Sequence, residues 1–160
     1  MGSTSDLPVM EKACKWLDDN EIPFEVNALS AHRTPDAVEA FAKGAQERGI
    51  KVIIAAAGMA AALPGVIAAS TNLPVIGVPI KGMLDGLDAM LSIIQMPPGI
   101  PTATVGVNAA QNAAILAAQI IGLSDSAVAA KVAAHKAGLG AKIEKANKDL
   151  AEVKYNFMTN

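Results

Sequence analysis

Two stretches of this 160-residue chain, KVIIAAA (51–57) and PVIGVPI (74–80), are apolar from end to end without alternating. A strand with one wet face alternates apolar and polar side chains, so unbroken apolar strands are covered on both faces. Each is followed by a helical pattern, a small-residue helix from about Leu63 to Thr71 and DGLDAMLSIIQ (85–95). Strand followed by helix, repeated, means a parallel sheet with helices on both faces, an α/β fold. The rest of the chain keeps that rhythm. Val9, Ala13, Trp16 and Leu17 line one face of a first helix ending near Asn20, and FEVNAL (24–29) reads as a short strand. Thr34 is placed as an N-cap with Pro35 at the first helical position, opening a helix that buries Val38, Phe41 and Ala45 and closes at Gly49. TATVGV (102–107) is expected as a strand and AAQNAAILAAQII (109–121) as a helix ended by Gly122. Lys- and Ala-rich helix follows from about Asp125 to Val153. The chain reads as one domain, with an α/β core over 1–122 and a helical extension over 123–160.

Residues 52–80 and 89–124 carry no charge, yet Pro and Gly interrupt both, so neither reads as a membrane span. In a chain with 52% hydrophobic residues, such stretches point to surface hidden in an oligomer or to a thoroughly buried core. The net charge of -2 gives no basic footprint for nucleic acid. Cys14 is the single cysteine, which excludes a disulfide framework and a cysteine-rich metal site. No secretory pattern opens the chain, so a cytoplasmic setting is expected.

In open parallel sheets, ligands sit beyond the carboxyl ends of the strands. That places the turn at 2–6, residues 30–35, the loop 57–62 and the loop after Ile80 near one another. SAHRTP (30–35) holds one of the two arginines and one of the two histidines. Arg33 can grip a phosphate through two parallel hydrogen bonds, and His32 is a candidate proton shuttle, since an unperturbed imidazole changes charge near neutrality. The plainer reading is a helix entry with a solvated arginine. GSTSD (2–6) is neither the Walker pattern nor the dinucleotide fingerprint. It still suffices for a monophosphate: Ser3 offers a hydroxyl, Gly2 lets backbone approach, and a helix N-terminus supplies oriented N–H groups. Asp6 either accepts from a ribose diol or caps that helix. The small-residue loop AAAGMAAALPG (55–65) can approach a flat ligand closely or simply pack tightly. QMPPGIP (95–101) reads as a rigid connection, and His135 as a surface residue. No grouping of His, Asp and Glu resembles a metal site.

These segments, in this order, resemble class I 5-(carboxyamino)imidazole ribonucleotide mutase of purine biosynthesis over about residues 1–122. The resemblance rests on GSTSD, SAHRTP, AAAGMAAALPG, PVIGVPI, LDGLDAMLSIIQMPPGIP and NAAILAAQII. It implies a flavodoxin-like three-layer α/β/α sandwich, a homo-octamer, and no metal or organic cofactor. The implied reaction moves a carboxylate from the exocyclic nitrogen of the ribonucleotide to ring carbon 4. Carried over by motif, Ser3, Asp6 and Arg33 hold the ribose phosphate, and His32 moves protons. Ser30 and Ala31 line the same pocket, and Gly58, Met59 and Ala60 cover the base. The chain departs from the family pattern at Ala62, where a histidine normally precedes LPG, and at Ala56 and Met59, where glycines are usual. Two other readings share the fold: a class II carboxylase acting on the unmodified aminoimidazole ribonucleotide, and a non-catalytic nucleotide-binding or assembly protein. The resemblance also implies a hydrophobic strand before Met1, so the first strand is expected to be missing. Its loss would leave backbone ladders unpaired on both sides, and the gap is expected to be filled or closed over.

Overall fold

The computed structural model describes residues 1–159. Its sheet has three parallel strands in the order β1 (Ile53–Gly58), β2 (Val75–Ile80) and β3 (Ala103–Thr104). Ile53 pairs with Val75 and Gly58 with Ile80, so the two apolar stretches lie side by side in full register. Both strands are covered on both faces, as their lack of alternation requires. One face packs against α1 (Leu7–Asp19) and α5 (Ala110–Gly122), where Met10, Trp16 and Leu17 meet Ile76, Val78 and the alanines of α5. The other packs against α2 (Pro35–Gly44), α3 (Leu63–Ser70) and α4 (Leu87–Ile94), through Val38, Ala42, Leu63, Ile67 and Ile93. Gly77 in the middle of β2 makes this second layer possible, because a Cβ there would strike Ile93 of α4. Helix, sheet, helix: three layers.

α6 (Ser126–Ala151) begins at Asp125, whose carboxylate accepts the amides of Ala127 and Val128. Its first turns rest on the core through Val128 and Val132. Farther along, Leu139, Ile143 and Leu150 are exposed. His135 is no bare surface residue. Trp16 Nε1–H donates to its Nδ1 at 3.2 Å, with the rings edge to face, fastening α6 to α1. The aromatic partner lies more than a hundred residues away in sequence, so local patterning gave no sign of it.

Three expected elements differ. The helix opened by Pro35 ends regularly at Gly44, and turns carry the chain to Gly49, which takes φ +85°. The strand expected over 102–107 is regular only at Ala103–Thr104. It lies at the sheet edge, and β2 alone pairs with it, although Val105 N–H still donates to the Gly77 carbonyl. FEVNAL (24–29) forms no strand at all. A strand needs a ladder partner along its length, and this segment meets one only at its end. There Met1 donates its amine hydrogen to the Asn27 carbonyl, and Leu29 N–H donates to the Met1 carbonyl. Gly2 N–H donates to Ala56 of β1 from the other side. Below Met1 the gap between 24–29 and β1 is neither filled nor closed over. It is a cavity of about 500 Å³.

Candidate active site

β1 ends at Gly58, and three loops meet around its carboxyl end. The first is the turn at 2–6. Ser3 Oγ accepts Ser5 N–H at 3.2 Å, and Asp6 Oδ2 accepts Ser3 N–H at 3.1 Å. This reciprocal box caps a single 3-10 turn, Thr4–Asp6, that runs straight into α1. Asp6 is buried, at 9% exposure, and the capping reading of this residue is realised in one of its oxygens. The other oxygen takes no part in the box. A Cβ on Gly2 would stand in ordinary van der Waals contact with the Ala56 carbonyl and Asp6 Oδ2, both at 3.8 Å.

The second loop is SAHRTP. Thr34 does not cap α2 with its hydroxyl; it donates instead to the Ser30 carbonyl at 3.2 Å and accepts Ser30 N–H at 3.0 Å. Ser30 Oγ in turn accepts both the backbone N–H and Nε–H of Arg33. Arg33 Nη2 donates to the Gly2 carbonyl at 3.0 Å, so the guanidinium is held directly against the phosphate-type turn. Among the described residues no carboxylate pairs with it, whereas Arg48, the other arginine, is paired with Glu25 at 3.1 Å. Ala31 packs against the cluster that contains Ala57, Ala61 and Leu63, and His32 stands exposed beside Arg33.

The third loop, 58–62, turns sharply: Ala61 N–H donates to the Gly58 carbonyl, with Met59 at φ +56° and Ala61 at φ +29°. Side chains enter that left-handed region at a cost, and glycine would enter it freely. A Cβ on Gly58 would sit 3.4 Å from the Ile80 carbonyl. Met59 is largely exposed, as is Ala60, and Ala62 occupies the N-cap position of α3 with no side-chain cap.

Sequence reasoning did not find Asn108. It takes φ +58°, its Oδ1 accepts Lys81 N–H at 2.8 Å, and its own N–H donates to the Pro79 carbonyl. It thereby ties together the loops that leave β2 and β3. An asparagine two residues ahead of a helix was the available signal, since this residue type tolerates the left-handed region. Among the described residues no group of three or more His, Cys, Asp and Glu could hold a metal ion.

A family model described as AIR carboxylase matches residues 1–142. The chain belongs to that family. Among AIR carboxylase relatives, the N5-carboxyaminoimidazole ribonucleotide mutase of Thermotoga maritima is 49% identical over 161 residues, covering all of this chain and 94% of the relative. That of Pyrococcus abyssi is 60% identical over 124 residues, 77% of this chain and 71% of the relative. The phosphoribosylaminoimidazole carboxylase of Saccharomyces cerevisiae is 57% identical over 133 residues, which are only 23% of that longer protein. The crystal structure of Treponema denticola PurE superposes with a TM-score of 0.79 at 30% identity, covering 97% of this chain and 96% of that one. The three-layer family fold is therefore present.

Proposed function

We infer that this chain is an N5-carboxyaminoimidazole ribonucleotide mutase, an isomerase of purine biosynthesis. The observation that carries the residue assignment is Arg33: a guanidinium with no carboxylate partner among the described residues, tethered to the Gly2 carbonyl at 3.0 Å. An unneutralised cation fixed beside a capped turn is a seat for a phosphate monoester. Ser3 and Asp6 stand at the same turn and would take the phosphate and the ribose diol. Ser30 holds the guanidinium fork in place, and Ala31, Gly58, Met59 and Ala60 would flank the imidazole.

The chemistry needs a proton moved twice. The N–carboxylate bond breaks, carbon dioxide departs, and the exocyclic nitrogen takes up a proton. Ring carbon 4 then attacks the retained carbon dioxide and sheds its own proton as aromaticity returns. A single group that gives the first proton and takes the second ends unchanged, and the imidazole of His32, beside the phosphate seat, is the side chain suited to both steps. The small loop 58–62 would keep water from the released carbon dioxide.

The carboxylase names borne by the fungal relatives keep one alternative in view. Incubating the purified protein with the carboxyamino ribonucleotide decides between them. Conversion to the 4-carboxy isomer without added bicarbonate is expected; activity only on the aminoimidazole ribonucleotide with dissolved carbon dioxide would make it a carboxylase, and binding without turnover an inert relative. No described helix is long and apolar enough to cross a membrane. Exposed Leu91 and Ile94 in the 89–121 region, with Met83, Leu84 and Leu87 just before it, support burial of that region between the subunits of a homo-octamer. Light scattering that returned a stable monomer at micromolar concentration would overturn the octamer.

A further inference from the structure

Thr34 stands where a cap for α2 belongs, yet its hydroxyl gives that helix nothing. It turns back four residues instead. Thr34 Oγ1 accepts Ser30 N–H at 3.0 Å and donates to the Ser30 carbonyl at 3.2 Å, and Thr34 N–H donates to that same carbonyl at 2.8 Å. Both backbone polar groups of Ser30 are thus held by one residue. With its N–H and its carbonyl pinned, Ser30 has little freedom in the direction of its Cβ, and the hydroxyl on that Cβ is the one that meets Arg33.

That hydroxyl is fully engaged as an acceptor. Ser30 Oγ takes the backbone N–H and the Nε–H of Arg33, both at 3.2 Å, and a hydroxyl oxygen has two lone pairs. What remains to Ser30 is its O–H, a donor without a partner among the described residues. Arg33 is divided in the same way. A guanidinium carries five N–H donors on a planar fork. Nε–H goes to Ser30 and one Nη2 hydrogen to the Gly2 carbonyl at 3.0 Å, which commits the Nε–Nη2 edge to the protein. The N–H groups that remain all lie at the Nη1–Nη2 end, and among the described residues nothing accepts from Nη1. N–H and O–H donors side by side, with no lone pair left among them, make a seat for an anion.

Resting on the reading of Arg33 as the phosphate ligand, we propose that Thr34 is a positioning residue of that seat: through Ser30 it ties down the Nε–Nη2 edge of Arg33 and leaves the Nη1–Nη2 end to grip the phosphate with two parallel hydrogen bonds. The relay runs from Thr34 to Ser30 to Arg33 to the Gly2 carbonyl. Without the Thr34 hydroxyl, Ser30 N–H loses its acceptor and the Ser30 carbonyl keeps only the Thr34 amide. The serine then swings, and the guanidinium swings with it. A fork that is already aimed loses little freedom when the phosphate arrives, whereas a loose one must be ordered by the ligand and binds it more weakly.

Thr34→Val keeps the β-branched shape and removes only the hydroxyl, and because that hydroxyl caps nothing the unfolding midpoint is expected to stay put. KM for the carboxyamino ribonucleotide is expected to rise about three- to tenfold with kcat within about twofold, and Thr34→Ser is expected to restore it. Labelling with 15N-arginine reads the relay directly, since the chain has two arginines and Arg48, held by Glu25, is the internal reference. Exchange of the Arg33 Nε–H with water is expected to quicken about threefold or more in Thr34→Val and to return in Thr34→Ser, with Arg48 unchanged. Aminoimidazole ribonucleotide, added to the wild type in buffer free of carbon dioxide so that nothing turns over, is expected to shift the Arg33 Nη signals and leave Nε in place. An unchanged KM and Nε–H exchange in Thr34→Val, or a loss that falls on kcat alone, would overturn the role of Thr34. So would an Nε signal that moves more than the Nη signals, because the phosphate then takes the tied edge. Each of those results leaves Arg33 as the phosphate ligand, whereas no response of Arg33 to the ribonucleotide would remove the phosphate reading itself, and this proposal with it. Should Thr34→Val fail to fold, the wild-type spectra still decide which edge binds.

Discussion

The two halves of β1 make opposite demands on the chain around them. At its carboxyl end, hydrogen bonds tie residues 1–2 to β1 at Ala56 and to Arg33 of the 30–34 loop, while the 58–62 turn closes on its own Ala61–Gly58 bond with Ala31 packed against its cluster. At its amino half the same strand borders a cavity of about 500 Å³ with walls of hydrocarbon. Order at a site and stability beneath it are therefore separable. The loops are held by a few directed bonds at Met1, Gly2 and Arg33, which do not require the layer below to be full. Substitutions at the two ends should accordingly fall into different observables.

The largest effect belongs to the lower end. Leu17 is buried between α1 and the sheet and lines the cavity. Leu17→Ala enlarges a gap whose far wall has already failed to collapse, so the upper part of the usual range applies, about 2–5 kcal/mol. Urea unfolding should show it as a lowered midpoint, while turnover per folded molecule stays within about twofold. A collapse of turnover at unchanged stability would mean that the two ends are coupled.

The upper end should behave in reverse. His32→Ala is expected to lose about 10²-fold or more in kcat, with ligand affinity within a few-fold and the unfolding midpoint unmoved. Near-normal turnover would leave His32 as a helix-entry residue. Arg33→Lys comes next. It keeps the charge but loses the fork that binds Ser30 Oγ and the Gly2 carbonyl together, and substrate binding should weaken by about 1–3 kcal/mol. An unchanged KM would put the phosphate elsewhere.

The same division explains what could be read from the sequence. β1 and β2 were legible because strands covered on both faces write an unbroken apolar run, and these two are paired with each other along their whole length. FEVNAL carries the composition of a strand yet forms none, because ladder pairing is a property of neighbours and only Met1 reaches it. The site was legible as motifs: SAHRTP and GSTSD do come together, through Arg33 and Gly2. Their internal bonding was not. Asp6 spends one oxygen on Ser3, Thr34 turns back to Ser30 rather than capping α2, and Asn108 ties two loops from a left-handed position. Each of those choices is set by contacts made after the loops have met, and no spacing rule contains them. The Trp16–His135 bond is hidden for the same reason.

The smallest predicted effect sits where the two ends join. The Met1 amine lies at the top of the cavity, and burial, the largest influence on it, lowers its pKa from the ordinary 8.0, while the Asp6 carboxylate opposes that shift. A base whose pKa falls on folding binds fewer protons folded than unfolded, between its folded and unfolded values. Stability must therefore rise with pH through that window and level off above about pH 8, the unfolded value. Cys14, whose thiol burial pushes up, stays neutral across the window and cannot supply the slope. Melting curves taken in half-unit steps should show the rise in the free chain, and Nα-acetylation should abolish the slope whatever it does to the absolute melting temperature. A slope that survived acetylation would assign the titration to another group. The amine would then be wet rather than buried, and the contrast between the closed and open ends of β1 would lose its boundary at Met1.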